Sequence, residues 1–187
     1  MPVAPIRIAA LGCRELAEEV DRKLVKFRKE LVERKQLSAI PQGYSEESFI
    51  VECECPRFGT GEGKGYIKES VRGTDLYIMV DVTNYSESYT VCGHENHMSP
   101  DNHFQDLKRI ISAATGKAHR INVIMPFLYE GRQHRRTKRE SLDCALALRE
   151  LSDMGVSNII TFDAHDPRVQ NSIPLNGFDN FFPTYQF

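Results

Sequence analysis

The sequence predicts a three-layer α/β/α fold, in which helices cover both faces of a mostly parallel sheet. Two observations support this prediction. Short apolar runs typical of buried strands recur along the chain, and segments with helical periodicity separate most of them. Strands that alternate with helices favour parallel pairing. The 187 residues, 41% of them hydrophobic and 27% charged, suit a single domain with a sizeable core.

The predicted strands are short apolar runs. They occupy residues 6–11, 49–55, the second half of 69–82, 119–127 and 157–162. The run at 49–55 alternates apolar and polar residues, which is typical of a strand with one buried face. Two stretches between the regular elements are polar: 38–48 is predicted to be a loop, and 83–100 is expected to be irregular.

Three segments have helical periodicity. They extend from Arg14 to about Lys35, from a Ser99-Pro100 cap to Gly116, and from Ser141 to Gly155. Apolar residues recur at spacings of three and four in the first two helices, where they are Leu16, Val20, Leu24, Phe27, Leu31, Phe104, Leu107, Ile111 and Ala114. In the third helix, the residues predicted to face inward are Leu142, Ala145, Leu146 and Met154. A serine cap followed by proline, and a glycine after the last turn, are typical helix boundaries.

Charge and composition narrow the possible partners. With a net charge of −2, the chain as a whole does not attract nucleic acid electrostatically. No apolar run approaches the roughly 18–20 residues of a membrane span. Arg7 interrupts the short run IRIAALGC, so we interpret it as a strand and not as a signal peptide. The five cysteines (13, 53, 55, 92 and 144) contain no CxxC pair, which predicts reduced thiols in a cytoplasmic protein.

Ligands of parallel α/β sheets bind beyond the carboxyl ends of the strands, and this rule selects the segments 57–65, 127–140 and 163–170. The first segment, RFGTGEGKG, is neither a Walker A box nor a GxGxxG motif that opens a helix. Its glycines allow close backbone approach, and Glu62 offers acceptors for a base or sugar. A hairpin turn between two strands is the alternative, and the local pattern favours it.

The second segment is strongly basic, with five basic residues between Arg132 and Arg139 on a chain that is acidic overall. Guanidinium groups match the geometry of phosphate oxygens, so a phosphate ligand is the leading hypothesis. A solvated loop is the main alternative. A nucleic-acid interface is disfavoured, because no aromatic residues are interleaved and the sequence has no second basic patch.

The third segment, DAHDP, follows an apolar strand. Asp163 and His165 point to the same side of an extended chain, so both can approach one ion. With phosphate oxygens and water as further ligands, Mg²⁺ fits this pair, and a polar strand end is the alternative. Asp166-Pro167 is typical of a helix N-cap followed by proline. A zinc site is disfavoured because its candidate ligands match no common zinc spacing; they are Cys92, His94, His97 and His103.

Each motif is weak alone, but their order along the chain is specific. The segments ESVRGTDLYIMVD, HFQDLKRIISAATGKAHRINVIMPFLYEGRQHRR and SLDCALALRELSDMGVSNIITFDAHDPRVQNSIP together resemble the N-terminal domain of ribose-phosphate pyrophosphokinase (PRPP synthetase), from about Phe58 to Asn180. The resemblance implies a phosphoribosyltransferase-like fold in a cytoplasmic homo-oligomer of nucleotide biosynthesis. It also implies transfer of the β,γ-diphosphate of MgATP to ribose 5-phosphate, giving PRPP and AMP.

The resemblance also implies site residues by position. The implied ATP-binding residues are Phe58, Thr60, Glu62, Arg132, Gln133, His134, Arg135 and Arg136, and the implied Mg²⁺ ligands are Asp163, His165 and Asp179. Three positions depart from the family pattern. Thr60 replaces an amide or carboxylate, His134 replaces an aspartate, and Pro174 lies near a position where the family has a second acidic residue.

The catalytic residues of the family belong to a C-terminal domain that binds ribose 5-phosphate, and the resemblance covers none of it. We therefore expect residues 1–187 to form a single ATP-side domain, with an insertion at 84–100 and little synthetase activity on its own. The alternative hypothesis is a non-catalytic regulatory or assembly subunit, and the departures at Thr60, His134 and Pro174 favour it.

Overall fold

The fold is described by a computed structural model, which covers residues 4–35 and 43–184. The strands are, in chain order, β1 (Ile6–Leu11), β2 (Cys53–Glu54), β3 (Tyr66–Ile67), β4 (Asp75–Val80), β5 (Ser88–Val91), β6 (His94–His97), β7 (Arg120–Ile124), β8 (Val156–Phe162) and β9 (Gly177–Phe181). The helices are α1 (Arg14–Lys35), α2 (Pro100–Ala114) and α3 (Asp143–Asp153), with a short 3₁₀ helix at Pro167–Ser172.

Five strands form one parallel sheet in the order β1-β4-β7-β8-β9. On one face, Ile8 and Met79 pack with Ala17 of α1. On the other face, Ile78 and Val123 belong to a larger core that α2 and α3 complete with Leu107, Ile111, Leu148 and Leu151. The predicted three-layer α/β/α fold is confirmed. Because all five strands run the same way, their carboxyl ends meet at one edge of the sheet.

The helix boundaries follow the local signals closely. α1 begins and ends where the periodicity predicts. Ser99 caps α2, because its hydroxyl oxygen accepts a hydrogen bond from the backbone N–H of Asn102 at 3.2 Å, and Gly116 follows the helix with a φ of 74°. α3 begins at Asp143 and not at Ser141, and the prediction that Leu146 faces inward is wrong, since this residue is 57% exposed. β7 is shorter than the strand predicted at 119–127.

The strand predicted at 49–55 is wrong in extent. Ile50 forms a parallel bridge with Ile8 beside β1, and β2 then pairs antiparallel with β3. The chain changes its pairing partner within this run, so no continuous strand forms. The segment 57–65 therefore follows a hairpin strand, and selecting it by the rule for parallel sheets was wrong.

Two further elements differ from the sequence prediction. The stretch at 83–100 is not irregular but contains the hairpin β5–β6, whose turn residues Cys92 and Gly93 have φ values of 51° and 79°. Positive φ at both positions is what a two-residue hairpin turn of type I′ needs. The strand β9 was not predicted, because it begins at Gly177 and carries Asp179 and Asn180, which are poor strand formers.

Residues 38–42 of the predicted loop at 38–48 lie outside the described residues. No helix in the described part of the chain is long and apolar enough to cross a membrane.

All five cysteines are free, as expected, and only Cys92 is exposed. Burial raises the pKa of the other four thiols, to about 11 for Cys13, Cys53 and Cys144 and to about 12 for Cys55.

Candidate functional site

The turns that follow β7 and β8 enclose a cavity of about 400 Å³ at the carboxyl edge of the sheet. It is lined by Phe127, Leu128, Gly131, Arg132, Phe162, Asp163, Ala164 and His165. Two segments that are distant in sequence, 127–132 and 162–165, line the cavity together. They meet because β7 and β8 are neighbours in the sheet. Arg132, Asp163 and His165, which were predicted as binding residues, therefore share one cavity.

Larger hollows exist elsewhere on the molecule. One of about 670 Å³ lies between α2 and α3, and one of about 710 Å³ lies beside the start of α1. None of the predicted site residues lines either of them. Size alone therefore does not select the functional site, whereas the meeting of charged residues beyond two parallel strands does.

Asp163 occupies a strained turn at the end of β8. Its φ is 47°, in the left-handed region that costs a non-glycine residue roughly 1–2 kcal/mol. β9 holds this turn, because the amide of Asp163 donates to the carbonyl of Phe181 at 2.9 Å and the amide of Ala164 donates to Asn180 Oδ1 at 3.0 Å. Strain enforced in this way is typical of functional sites. Sequence reasoning missed Asn180, whose only signal is its place beside Asp179.

Two phenylalanines that sequence reasoning also missed form an aromatic part of the cavity lining. Phe127 is 45% exposed and Phe162 is 43% exposed. The guanidinium carbon of Arg132 lies 5.9 Å from the centroid of the Phe127 ring, within cation–π distance. The centroids of the Phe162 and Phe181 rings are 6.0 Å apart. Their position in the sequence could have indicated them, because each phenylalanine lies at the end of an apolar strand run.

The two residues after the cavity-lining arginine make contacts within the chain. Gln133 Nε2 donates to the carbonyl of Ser141 at 2.8 Å and so joins the basic loop to the segment before α3. His134 Nδ1 lies 3.4 Å from Asp166 Oδ2, and its ring centroid lies 5.0 Å from that of His165. These contacts hold the loop and the His165 ring in place, although neither Gln133 nor His134 lines the cavity.

Asp166 has the capping role that its sequence predicted. It precedes the 3₁₀ helix and accepts a hydrogen bond from the backbone N–H of Arg168 at 2.9 Å. The Arg168 guanidinium also donates to both carboxylate oxygens of Asp166. These bonds hold the pKa of Asp166 well below its usual range, so an anion faces His134. Arg135 and Arg136 are exposed and lie outside the cavity lining.

Asp179, the third predicted metal ligand, does not line the cavity. It pairs with Ile160 in the sheet, and its Oδ2 accepts a hydrogen bond from Asn158 Nδ2 at 2.7 Å. Within residues 4–35 and 43–184, no group of three or more His, Cys, Asp and Glu residues is placed to hold a metal ion. The donor set at the cavity is therefore the pair Asp163 and His165. Such a short set suits an ion that keeps several waters, as Mg²⁺ does.

The Gly-rich segment 57–65 forms a hairpin between β2 and β3, so the structural alternative is confirmed. Thr60 Oγ1 donates to Glu62 Oε2 at 2.7 Å, and Phe58 is 56% exposed. The hairpin β5–β6 packs against this turn, since Cys92 Sγ lies 3.6 Å from the carbonyl oxygen of Gly59. The segment contributes nothing to the cavity lining, so the predicted ATP-binding residues fall into two separate places.

A family model described as the N-terminal domain of ribose phosphate pyrophosphokinase matches residues 8–155. The chain belongs to this family. The match includes most of β1, all of β4 and β7, and the Arg132 loop, and it stops before the turn that carries Asp163 and His165. Family membership therefore rests on the sheet and the basic loop, whereas the second half of the cavity is described by the structure.

Individual members of the pyrophosphokinase family agree with this match. A Streptococcus pneumoniae protein provisionally named ribose-phosphate pyrophosphokinase 2 is 35% identical over 130 residues, which are 67% of this chain and 35% of the relative. Ribose-phosphate pyrophosphokinase of Corynebacterium ammoniagenes is 30% identical over 128 residues, which are 66% of this chain and 36% of the relative. The matched part of the chain thus spans about a third of these relatives.

The fold of the family is shared as well. The crystal structure of phosphoribosylpyrophosphate synthetase from Mycobacterium smegmatis matches this chain with a TM-score of 0.67 at 19% identity, over 97% of this chain and 50% of that one. This similarity confirms the α/β fold class. The binding roles of Phe58, Glu62, Arg132 and the candidate metal ligands remain predictions.

Proposed function

We propose that this chain is the MgATP-binding part of a ribose-phosphate diphosphokinase, which transfers the β,γ-diphosphate of ATP to ribose 5-phosphate and yields PRPP and AMP. The observation that carries the proposal is the meeting of Arg132, Asp163 and His165 in one cavity at the carboxyl edge of the sheet. A guanidinium beside a carboxylate and an imidazole suits a phosphate chain with its metal ion. The family membership supports the reaction class.

The roles follow from the chemistry of each side chain. Arg132 is exposed and offers a planar fork of N–H donors to phosphate oxygens. Asp163 and His165 would hold Mg²⁺, which neutralises charge on the phosphates when bound. Strand β9 holds the strained backbone of Asp163. The Asp163 carboxylate therefore lies on a fixed turn at the end of β8. Positioning and charge neutralisation are the main requirements of this kind of transfer.

The proposed reaction needs more than these residues. Because the matched region spans about a third of the curated relatives, the ribose 5-phosphate site and the catalytic groups are proposed for the complete protein and not for residues 1–187. We propose a cytoplasmic homo-oligomer, with Phe58 and Glu62 on an exposed turn that is free to approach a second copy. The isolated chain should bind nucleotide without forming PRPP.

A non-catalytic regulatory or assembly subunit is the second candidate, and one observation favours it. Gln133 and His134, at positions that contact nucleotide in the family, are occupied with Ser141 and Asp166. The two candidates differ in a direct assay. The complete gene product, mixed with MgATP and ribose 5-phosphate, forms AMP if it is an enzyme and forms none if it is such a subunit.

Calorimetry tests the nucleotide site itself. MgATP is titrated into the wild-type chain and into Arg132→Ala and His165→Ala, with Arg149→Ala on the exposed side of α3 as the matched control. Loss of a charge-assisted bond should weaken binding about tenfold or more for the two cavity variants, and the control should bind as the wild type does. Equal affinities for all four proteins would overturn the assignment.

A further inference from the structure

The hairpin β5–β6 packs against the Gly-rich turn at 57–65 through one of its two strands. The residues of β5 alternate between exposed and half-buried, and Tyr89 and Val91 are the half-buried ones, whereas all four residues of β6 are exposed. Side chains two positions apart in a strand point to the same side. Tyr89 and Val91 therefore form the side of the hairpin that lies against the turn.

Two contacts join β5 to the turn, in addition to the contact of Cys92. The guanidinium carbon of Arg57 lies 5.0 Å from the centroid of the Tyr89 ring, within cation–π distance. A Cβ atom added to Gly61 would lie 3.5 Å from Cγ2 of Val91, so these two residues approach closely. The hairpin thus touches both the first residue of the turn and its middle.

The hairpin itself is attached to the body of the domain at both of its ends. Before β5, Asn84 Nδ2 donates to the carbonyl of Gly12 at 2.7 Å, and the carbonyl oxygen of Asn84 lies 2.8 Å from Nε2 of the buried His103. After β6, the amide of the buried Met98 donates to the carbonyl of Glu87 at 2.8 Å. The contacts of the hairpin therefore connect the Gly-rich turn to the rest of the domain.

The composition of the turn explains why such support matters. Four of the nine residues at 57–65 are glycine, which loses more conformational freedom on ordering than any other residue. A turn of this kind, left unsupported, would be ordered at the expense of binding affinity. The amide of Phe58 donates to the carbonyl of Glu62 at 2.7 Å, and both side chains are exposed. The hairpin thus supports the backbone of the turn and leaves Phe58 and Glu62 open to a partner.

We propose that the hairpin β5–β6 is a positioning element, in which Tyr89 and Val91 hold the 57–65 turn ready for the nucleotide of a second copy of this chain. This inference rests on the proposed function, in which the turn approaches such a copy. Each side chain that must be ordered at binding weakens affinity about 2- to 12-fold, so loss of the support should weaken nucleotide binding by about that factor. Tyr89 and Val91 act through the turn and do not touch the nucleotide.

Two probes test this role in the complete gene product, in which copies of the chain can assemble. MgATP and magnesium tripolyphosphate, which has the phosphates but no base or sugar, are each titrated by calorimetry. Tyr89→Ala should weaken MgATP binding about 2- to 12-fold and leave tripolyphosphate binding unchanged. Tyr89→Phe keeps a ring beside Arg57 and should bind both probes as the wild type does. Normal tripolyphosphate binding also shows that a variant has kept its fold.

Two neighbouring positions of β5 provide a second variant and a control. Val91→Ala is a smaller change, with the same selective loss of MgATP affinity expected. Thr90→Ala, on the exposed side of the same strand, should alter neither affinity. If Tyr89→Ala and Val91→Ala both bind MgATP as the wild type does, or if they weaken both probes equally, the positioning role is excluded.

A mutant cycle decides whether the hairpin acts through the turn. The double variant Phe58→Ala/Glu62→Ala should weaken MgATP binding, and adding Tyr89→Ala to it should cause no further loss. A full additional loss would overturn the inference, as would an unchanged MgATP affinity in the double variant. If Arg132→Ala weakens MgATP binding while the hairpin variants do not, the proposed function stands and only the inference fails. If the wild type binds neither probe, the proposed function fails and the inference fails with it.

Discussion

The backbone amide of Asp163 donates a hydrogen bond to the carbonyl of Phe181 over 2.9 Å, and Asp163 has a φ of 47°. Strand β9 therefore helps to enforce a left-handed residue at the end of β8. The same turn presents the candidate metal-binding carboxylate to the cavity. The candidate metal ligand is thus kept in a backbone conformation that a glycine would adopt more easily.

Two replacements of Asp163 should separate its effect on stability from its effect on binding. Asp163→Gly relieves the strained φ and should raise the free energy of unfolding by up to about 1 kcal/mol, whereas Asp163→Ala should lower it by about 1 kcal/mol. Both variants lose the carboxylate, so Mg²⁺-dependent ATP binding should weaken in both. Urea denaturation and calorimetry measure the two effects. As a control, Glu130→Gly relieves a similar φ of 55° at a residue that does not line the cavity, and it should leave ATP binding unchanged. Unchanged ATP binding in Asp163→Gly would contradict the assignment of Asp163 as a metal ligand.

Asp106 should be among the most sensitive polar positions. Its two carboxylate oxygens each lie 2.7 Å from a guanidinium nitrogen of Arg57, and Arg109 Nη1 lies 2.6 Å from Oδ1. The side chain of Arg57 is 6% exposed, so Asp106→Ala leaves a buried cation without its anion and should cost about 3–5 kcal/mol in the free energy of unfolding. Glu18→Ala, which breaks an exposed pair with Arg14, should cost less than about 1 kcal/mol in the same urea titration. If both variants lose a similar free energy of unfolding, the expected difference between the buried and the exposed ion pair is wrong.

Acid should destabilise the protein partly through Asp75. The Arg120 guanidinium lowers the pKa of this carboxyl, burial opposes the shift, and His119 adds to it. A lowered folded-state pKa means that the stabilisation is complete above the unfolded value near 4 and is lost as the pH falls through the folded value. Urea denaturation between pH 7 and pH 2.5 should therefore show a shallower acid loss for Asp75→Asn than for the wild type. Glu19→Gln, at an exposed position of α1, should lose stability toward acid as steeply as the wild type does. If Asp75→Asn also loses stability as steeply as the wild type, Asp75 makes no contribution to the acid loss.

Cys92 should be the first thiol to react. It lies exposed at the β5–β6 turn, while burial raises the pKa of the other four thiols to about 11 or 12. The thiolate is the reactive form, so iodoacetamide at pH 8 should add one group to the native protein and five to the unfolded protein. Peptide mass spectrometry identifies the site, and Cys92→Ser should remain unlabelled over the same interval. Early labelling at Cys13 would show that its burial is not maintained in solution.

The elements that the sequence predicts well are those whose signals are local. α2 shows this clearly, because Ser99, the apolar periodicity and Gly116 all lie within the helix or next to it. The strand β1 and the helix α1 have their predicted boundaries for the same reason. The hairpin β5–β6 escaped prediction, since its strands are polar and short and its turn contains cysteine in place of the usual Asn or Asp.

The sequence by itself determined the fold class, the family resemblance and the separate chemistry of Arg132, Asp163 and His165. Only the tertiary structure decided which of these side chains share a cavity, because that depends on β7 and β8 being neighbours. It also placed Asp179 against Asn158, and it brought Phe127 and Phe162 to the same lining. These relationships depend on strand order and register, which arise from packing across the whole sheet and leave no local pattern in the chain.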